Sequence, residues 1–158
     1  MTISYRKATI NDCETLVKLR LIFLEESINY IAASAKAAIS SQLVSYYPKH
    51  IEHDFIAYMA EINGGIAATA FLTMIERPAN PALVTGKIGI ISNVYTFPKY
   101  RKNGIALELM KRLIEEAKVA NLSYIELAAT ESGKYVYEKL GFVVKQSKEY
   151  TDMKLNLL

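Results

Sequence analysis

Cysteine is nearly absent: Cys13 is the one thiol in 158 residues, so no disulfide can close within the chain. Only two histidines accompany it, His50 and His53, too few ligands for a Cys/His zinc site, and no metal is expected. Excess charge of one sign is lacking as well. Nineteen Lys and Arg against sixteen Asp and Glu leave +3, interspersed along the chain, whereas a nucleic-acid binder gathers its basic residues into a patch. No nucleic-acid partner is expected. The longest mostly apolar run, Gly64 to Ile75, falls short of the roughly 20 residues that a bilayer crossing needs, and Met1-Thr2-Ile3-Ser4-Tyr5-Arg6 lacks the apolar core of a secretory signal. These absences point to a cytoplasmic protein with no membrane partner. What is present is the balance of a globule, 51% hydrophobic against 22% charged residues, so stability must come from packing. No repeat, linker or low-complexity tract interrupts it, and residues 1–158 read as a single domain.

The periodicity supplies an order of elements. Residues 3–9 read as a strand; Thr9-Ile10-Asn11-Asp12 then offers a cap before Leu16, Leu19, Phe23 and Leu24 at helical spacing. A second helix is expected from Ala35 to Tyr47, closed by Pro48. Alternation over Phe55–Ala60, then Asn63-Gly64-Gly65 and another apolar run to Ile75, is a hairpin signal. Two prolines, Pro78 and Pro81, make a loop before a third strand from Lys87 to Thr96. From Asn103 to Ala120 runs the clearest amphipathic helix, with Glu108 and Arg112 paired at i,i+4. A strand from Tyr124 to Ala129, a short helix from Gly133 to Leu140, and Gly141 as its left-handed terminator follow. Two last strands are expected at Phe142–Gln146 and Asp152–Leu157, the latter alternating cleanly. The order β-α-α-β-β-β-α-β-α-β-β describes an α/β (α+β) fold: one mixed sheet of about seven strands flanked by about four helices.

Chemistry concentrates at Val94-Tyr95-Thr96-Phe97-Pro98-Lys99-Tyr100-Arg101-Lys102-Asn103-Gly104-Ile105-Ala106, where an apolar strand ends, a basic turn follows and the long helix begins. The first N–H groups of a helix have no internal acceptor and lie at the positive end of its dipole, so a phosphate can accept several hydrogen bonds there. Gly104 and Ala106 carry little or no side chain to keep a pyrophosphate from the backbone. The R-x-x-G-x-A string is equally compatible with a basic loop before a surface helix. Its context of strand, proline, turn and amphipathic helix favours anion binding. Downstream, Tyr137 stands one turn above Gly133, whose missing side chain opens space beside the ring.

The strand, R-K-N-G-I-A, helix, strand and Y-E-K-L-G-F in this order resemble the GNAT superfamily of acyl-CoA-dependent N-acetyltransferases, a likeness that covers nearly the whole chain and includes the opening Arg6–Asp12 segment and Leu19-Arg20. The resemblance implies acetyl-CoA as co-substrate. It implies that a pantetheine arm pairs with exposed backbone groups of Val94 and Thr96, and that Arg101 to Ala106 form the pyrophosphate loop, with the amides of Lys102, Asn103, Gly104, Ile105 and Ala106 as its donors. Thr130 and Gly133 fall where relatives often carry asparagine and alanine on the cofactor side. Tyr137 matches the tyrosine that protonates the departing thiolate; a phenol with a pKa of about 10 is a suitable donor.

An alkyl amine with a pKa of about 10.4 is only about one part in a thousand neutral at pH 7, so proton removal needs help. Several family members place a carboxylate near positions 92 and 93; this chain has Ser92 and Asn93. A water relay past Ser92 and Asn93, a carboxylate from Glu25 or Glu26, or an acceptor already partly neutral could each serve, and the relay is preferred. The acceptor pocket implied by the resemblance draws on Phe23, Tyr30, Tyr46, Tyr47, His50 and His53. The expected reaction is N-acetylation of a small-molecule amine by direct attack in a ternary complex. The alternatives are an inactive acyl-CoA sensor, motivated by Ser92 and Asn93, and an enzyme acting on lysine or N-terminal amines of proteins. The edge of the last strand is a candidate surface for a homodimer.

Overall fold

The computed structural model describes residues 2–146 and 151–158. The chain divides into two compact units, Met1–Ala128 and Ala129–Leu158. The first contains β1 (Ser4–Lys7), α1 (Cys13–Ser27), α2 (Ala33–His50), β2 (Phe55–Ile62), β3 (Gly65–Glu76), β4 (Lys87–Thr96), α3 (Ile105–Val119) and β5 (Tyr124–Glu126); the second contains α4 (Glu131–Lys139). The sheet runs β1-β2-β3-β4-β5, antiparallel throughout except for the parallel β4–β5 pair.

Alternation along β2 and β3 buries both faces of the sheet. Phe55, Ala57, Met59 and Phe71 form one core with Leu16, Val17 and Leu19 of α1 and Leu43 and Tyr47 of α2. The opposite face meets α3, where the Tyr58 hydroxyl donates to Glu116 Oε1 at 2.9 Å. Asn63 and Gly64 both have positive φ, 52° and 77°, as the two-residue turn between β2 and β3 requires. Glu108 and Arg112 form the expected pair at 3.0 Å, and Gly141 terminates α4 with φ of 89°.

Two expectations are corrected. Helix α2 does not stop before Pro48 but continues to His50. A proline inside a helix costs about 3 kcal/mol, while Tyr47, buried against Phe55 and Phe71, joins an aromatic cluster in which each ring contributes about 1.5–3 kcal/mol; packing prevails over the local signal. Second, the sheet has five strands among the described residues, not about seven. Phe142–Gln146 and Asp152–Leu157 form none, and Met153, Leu155 and Leu157 are exposed. Alternation specifies which side chains would share a face, but a strand also needs a neighbour to satisfy its backbone, and no short-range pattern supplies one. The dimer edge expected on the last strand loses its basis with it. Among the described residues no helix is long and apolar enough to cross a membrane.

The N-terminal strand is tied to the following turn by Arg6, which makes two hydrogen bonds to Asp12 at 2.8 and 2.9 Å, while the Thr9 N–H donates to the same carboxylate. Arg6 foremost, with Thr9, holds the Asp12 pKa down to about 2. A depressed carboxylate contributes stability that is present above its unfolded pKa of about 3.9 and lost as pH falls toward 2. Because Arg6 is substantially exposed, solvent screening limits the effect to about 1 kcal/mol. Asp12→Asn should lower unfolding free energy by about that amount at pH 7 and by much less near pH 2 in urea titrations; an equal loss at both pH values would refute the assignment.

Candidate active site

Strand β4 carries one residue more than β3 opposite it. Phe71 pairs with Ser92 but Thr69 pairs with Tyr95, so the register shifts between them. The extra residue is accommodated at Asn93, which has φ of 51° and is buried. Asparagine tolerates the left-handed region, and the side chain secures the bulge: Nδ2 donates to Thr69 Oγ1 at 3.1 Å, and Thr69 Oγ1 donates to the Asn93 carbonyl at 3.2 Å. A polar residue in the middle of Ile90-Ile91-Ser92-Asn93-Val94-Tyr95 was the available sequence signal for this irregularity.

The bulge inverts facing parity beyond it. Ser92 points to the α1/α2 side of the sheet, and so does Tyr95, whose hydroxyl donates to Glu26 Oε2 of α1 at 2.6 Å. The backbone follows the same arithmetic. Ser123 N–H donates to Lys87 O on the β5 side, and Phe97 N–H donates to Ala67 O on the β3 side; before the bulge odd-numbered residues face β5, whereas counting back by two from Phe97 leaves the backbone groups of Val94 and Thr96 on the β5 side beyond it. Pairing with β5 ends at Ile90, so this edge of β4 continues for six residues without a strand partner in its unit.

The turn after β4 leads into α3. Gly104 is the residue before the helix, with φ of 73°, and a Cβ there would meet nothing within 4 Å. Lys102 is also left-handed, with φ of 66°. Asn103 is turned inward to brace the loop, Nδ2 donating to the carbonyls of Tyr100 and Arg101 at 3.0 and 3.1 Å. The amides of Lys102, Asn103, Gly104, Ile105 and Ala106 find no acceptor among the described residues. Residues 101–104 are exposed. The side chain of Arg101 folds back instead: Nε donates to the Thr96 carbonyl at 2.9 Å and Nη2 pairs with Glu26.

Neither Glu25 nor Glu26 of α1 is unengaged. The Tyr95 hydroxyl, followed by Arg101, holds the Glu26 pKa below its usual range, and Glu25 pairs with Lys36. A carboxylate so held is a weak proton acceptor near neutral pH. Tyr30 is 79% exposed. His50 stacks on Tyr46 at 4.1 Å and contacts Asp54 at 2.7 Å. Among the described residues no three His, Cys, Asp or Glu side chains are grouped to hold a metal ion.

A cavity of about 180 Å³ opens between α1, α2 and the sheet. Leu43, Tyr47, Phe55 and Phe71 form its apolar wall; Arg20, Gln42, Tyr46, Thr73 and Ser92 supply polar atoms. Of the expected site residues it gathers Ser92, with Tyr46 and Tyr47 of the expected pocket; Glu25, Glu26 and Tyr30 do not line it. Arg20 and Thr73 were not foreseen here. A signal for Arg20 exists, since it falls on the same helical stripe as Leu16 and beside Leu19, where an arginine is out of pattern.

In the second unit, Thr130 caps α4, its Oγ1 accepting from Gly133 N–H at 3.2 Å. A Cβ at Gly133 would stand 3.1 Å from Thr130 Oγ1 and 3.4 Å from the Tyr137 ring, which confirms the close approach expected there. The Tyr137 ring meets Phe142 edge-on at 6.0 Å, and burial raises the pKa of its phenol.

Residues 24–142 match the model of the acetyltransferase (GNAT) family. A predicted acetyltransferase from Clostridium acetobutylicum, solved with acetyl-CoA, is 32% identical, with 97% of this chain and 96% of that one aligned and a TM-score of 0.82. A GCN5-related N-acetyltransferase from Ralstonia eutropha JMP134 is 24% identical over 97% and 99% of the two chains, with a TM-score of 0.80. At 22% identity, glucosamine-6-phosphate N-acetyltransferase from Arabidopsis thaliana shares the fold, with 96% and 100% coverage and a TM-score of 0.69. No curated protein matches the chain. A family match across three quarters of the sequence and a near-complete structural superposition on an acetyltransferase agree with the bulged strand and open-amide turn: the chain belongs to the GNAT acetyltransferase family.

Proposed function

We propose that this protein transfers the acetyl group of acetyl-CoA to the primary amine of a small molecule by direct attack in a ternary complex, with residues 1–158 serving as one catalytic domain. The observation that carries the reading is the run of amides from Lys102 to Ala106 at the start of α3 that find no acceptor among the described residues, in the turn that follows a strand edge without a partner among the described residues of its unit. In this reading those amides donate to the pyrophosphate, helped by the helix dipole and by the absence of a Cβ at Gly104. Val94 offers both backbone groups to the pantetheine arm. Thr96 offers its N–H alone, because Arg101 occupies its carbonyl. The relative solved with acetyl-CoA supports the choice of co-substrate.

Ser92 borders both the cavity and the strand that carries Val94, so an amine in the cavity would lie beside the thioester. The amine nitrogen forms a bond to the acetyl carbon, the carbon–sulfur bond breaks, and the thiolate takes a proton. Tyr137 supplies that proton. Its phenol, raised by burial, is fully protonated near neutral pH, as a donor must be. The proton leaving the amine passes to water held by Ser92, since the polar atoms of Asn93 are already engaged by Thr69 and Arg20. The volume of the cavity, about 180 Å³, supports a small acceptor. Because no carboxylate lines it, an acyl-CoA sensor is the second reading; amine-dependent release of free thiol from acetyl-CoA separates the two.

Gly104→Glu should fill and charge the phosphate site and weaken acetyl-CoA binding by at least about 100-fold in calorimetry. Unchanged binding by a folded variant would sink the loop assignment. Tyr137→Phe keeps the ring and loses the proton, so kcat should fall about 100-fold with acetyl-CoA affinity within about twofold of the parent; undiminished turnover would remove Tyr137 from the mechanism.

A further inference from the structure

The cavity beneath α1 and α2 has a charge pattern that narrows its occupant. Its wall holds one ionic side chain, Arg20, and no aspartate or glutamate. Arg20 is half-buried and forms no ion pair among the described residues, whereas Arg6, Arg101 and Arg112 all have carboxylate partners. Its contacts are weak ones: a 3.4 Å approach of Nη1 to Asn93 Oδ1 and a position 5.5 Å from the Phe23 ring centroid. Most of the guanidinium's donors therefore stay available beside the hydroxyl of Ser92, in surroundings otherwise aromatic and aliphatic. A half-buried cation without a counter-ion repels a polycation and gains from an anion that matches its fork of donors. The volume, about 180 Å³, is close to that of an engineered cavity of about 150 Å³ that holds benzene, and suits a compact body rather than an oligosaccharide.

We infer that the acceptor is a compact amine that bears an anionic group, carboxylate or phosphate, close to its nitrogen, with Arg20 binding the anion and the wall of Tyr47, Phe55 and Phe71 receiving any apolar remainder. This rests on the acetyltransferase reading and adds the substrate class. Ser92, on the strand that carries Val94, lines the same small cavity as Arg20, so an α-amino acid or a short phosphorylated amine suits it.

The test compares matched pairs on the full-length protein: phenylalanine against phenethylamine, phosphoethanolamine against ethanolamine, and spermidine as a polycation. Thiol release with acetyl-CoA gives kcat and KM, and calorimetry gives the affinity of each amine without acetyl-CoA. The member of at least one pair that carries the anionic group should exceed its partner without it by about 10- to 100-fold in kcat/KM, chiefly through KM, and should bind more tightly; the pair that responds tells carboxylate from phosphate. Arg20→Met should erase the preference and Arg20→Lys should keep part of it. Amines without an anionic group, spermidine included, performing as well as those that bear one, or a preference that survives in Arg20→Met, would overturn the inference. If acetyl-CoA itself fails to bind, the acetyltransferase reading falls, while the amine calorimetry still decides the cavity: equal affinities within both pairs refute anion recognition.

Discussion

The site depends on one extra residue in one strand. Asn93 enters β4 with no counterpart in β3, and the exchange of hydrogen bonds with Thr69 holds it in a left-handed conformation that a β-branched or bulky residue would resist. The consequence is a change of parity. Ser92 and Tyr95 both face α1 and α2, although an uninterrupted strand would send residues three apart to opposite sides. One supplies the hydroxyl in the cavity wall and the other reaches Glu26. Beyond the bulge, Val94 and Thr96 turn their backbone toward the side where β5 no longer follows.

The polar groups around this bulge divide the work by being used up or left over. Glu26 takes hydrogen bonds from Tyr95 and Arg101, and so fastens α1 to the end of β4. Arg101 is spent in the same contact and on the Thr96 carbonyl. Asn103 braces the turn. Around the bulge and the turn, the amides at Lys102–Ala106 find no acceptor among the described residues, and Ser92 lines the cavity with Arg20, whose guanidinium has only a 3.4 Å contact to Asn93. The functional reading follows the leftover groups, because a satisfied polar group has little to give a ligand.

The glycines and prolines marked several boundaries because their signals are local. Asn63-Gly64, Gly104 and Gly141 all adopt positive φ where a turn or helix end requires it. Pro48 shows the limit of that logic: its residue-level cost is smaller than the aromatic packing that carries α2 past it. The terminal segment shows the converse, since Met153, Leu155 and Leu157 alternate as a strand would and yet form no part of the sheet.

Short-range physics, legible in the chain alone, was enough for the helix α3 with its paired Glu108 and Arg112, the tight hairpin, the glycine-led turn into α3 and the approach of Tyr137 to Gly133. Each rests on dihedral preference or on neighbours within one helical turn. Packing across the sheet decided the rest: the number of strands, the engagement of Glu25 and Glu26, and the placement of Arg20 in a cavity with Ser92 and Tyr46. Those outcomes join residues as much as 75 positions apart in sequence, and such pairings depend on strand register, which no local pattern of residues encodes.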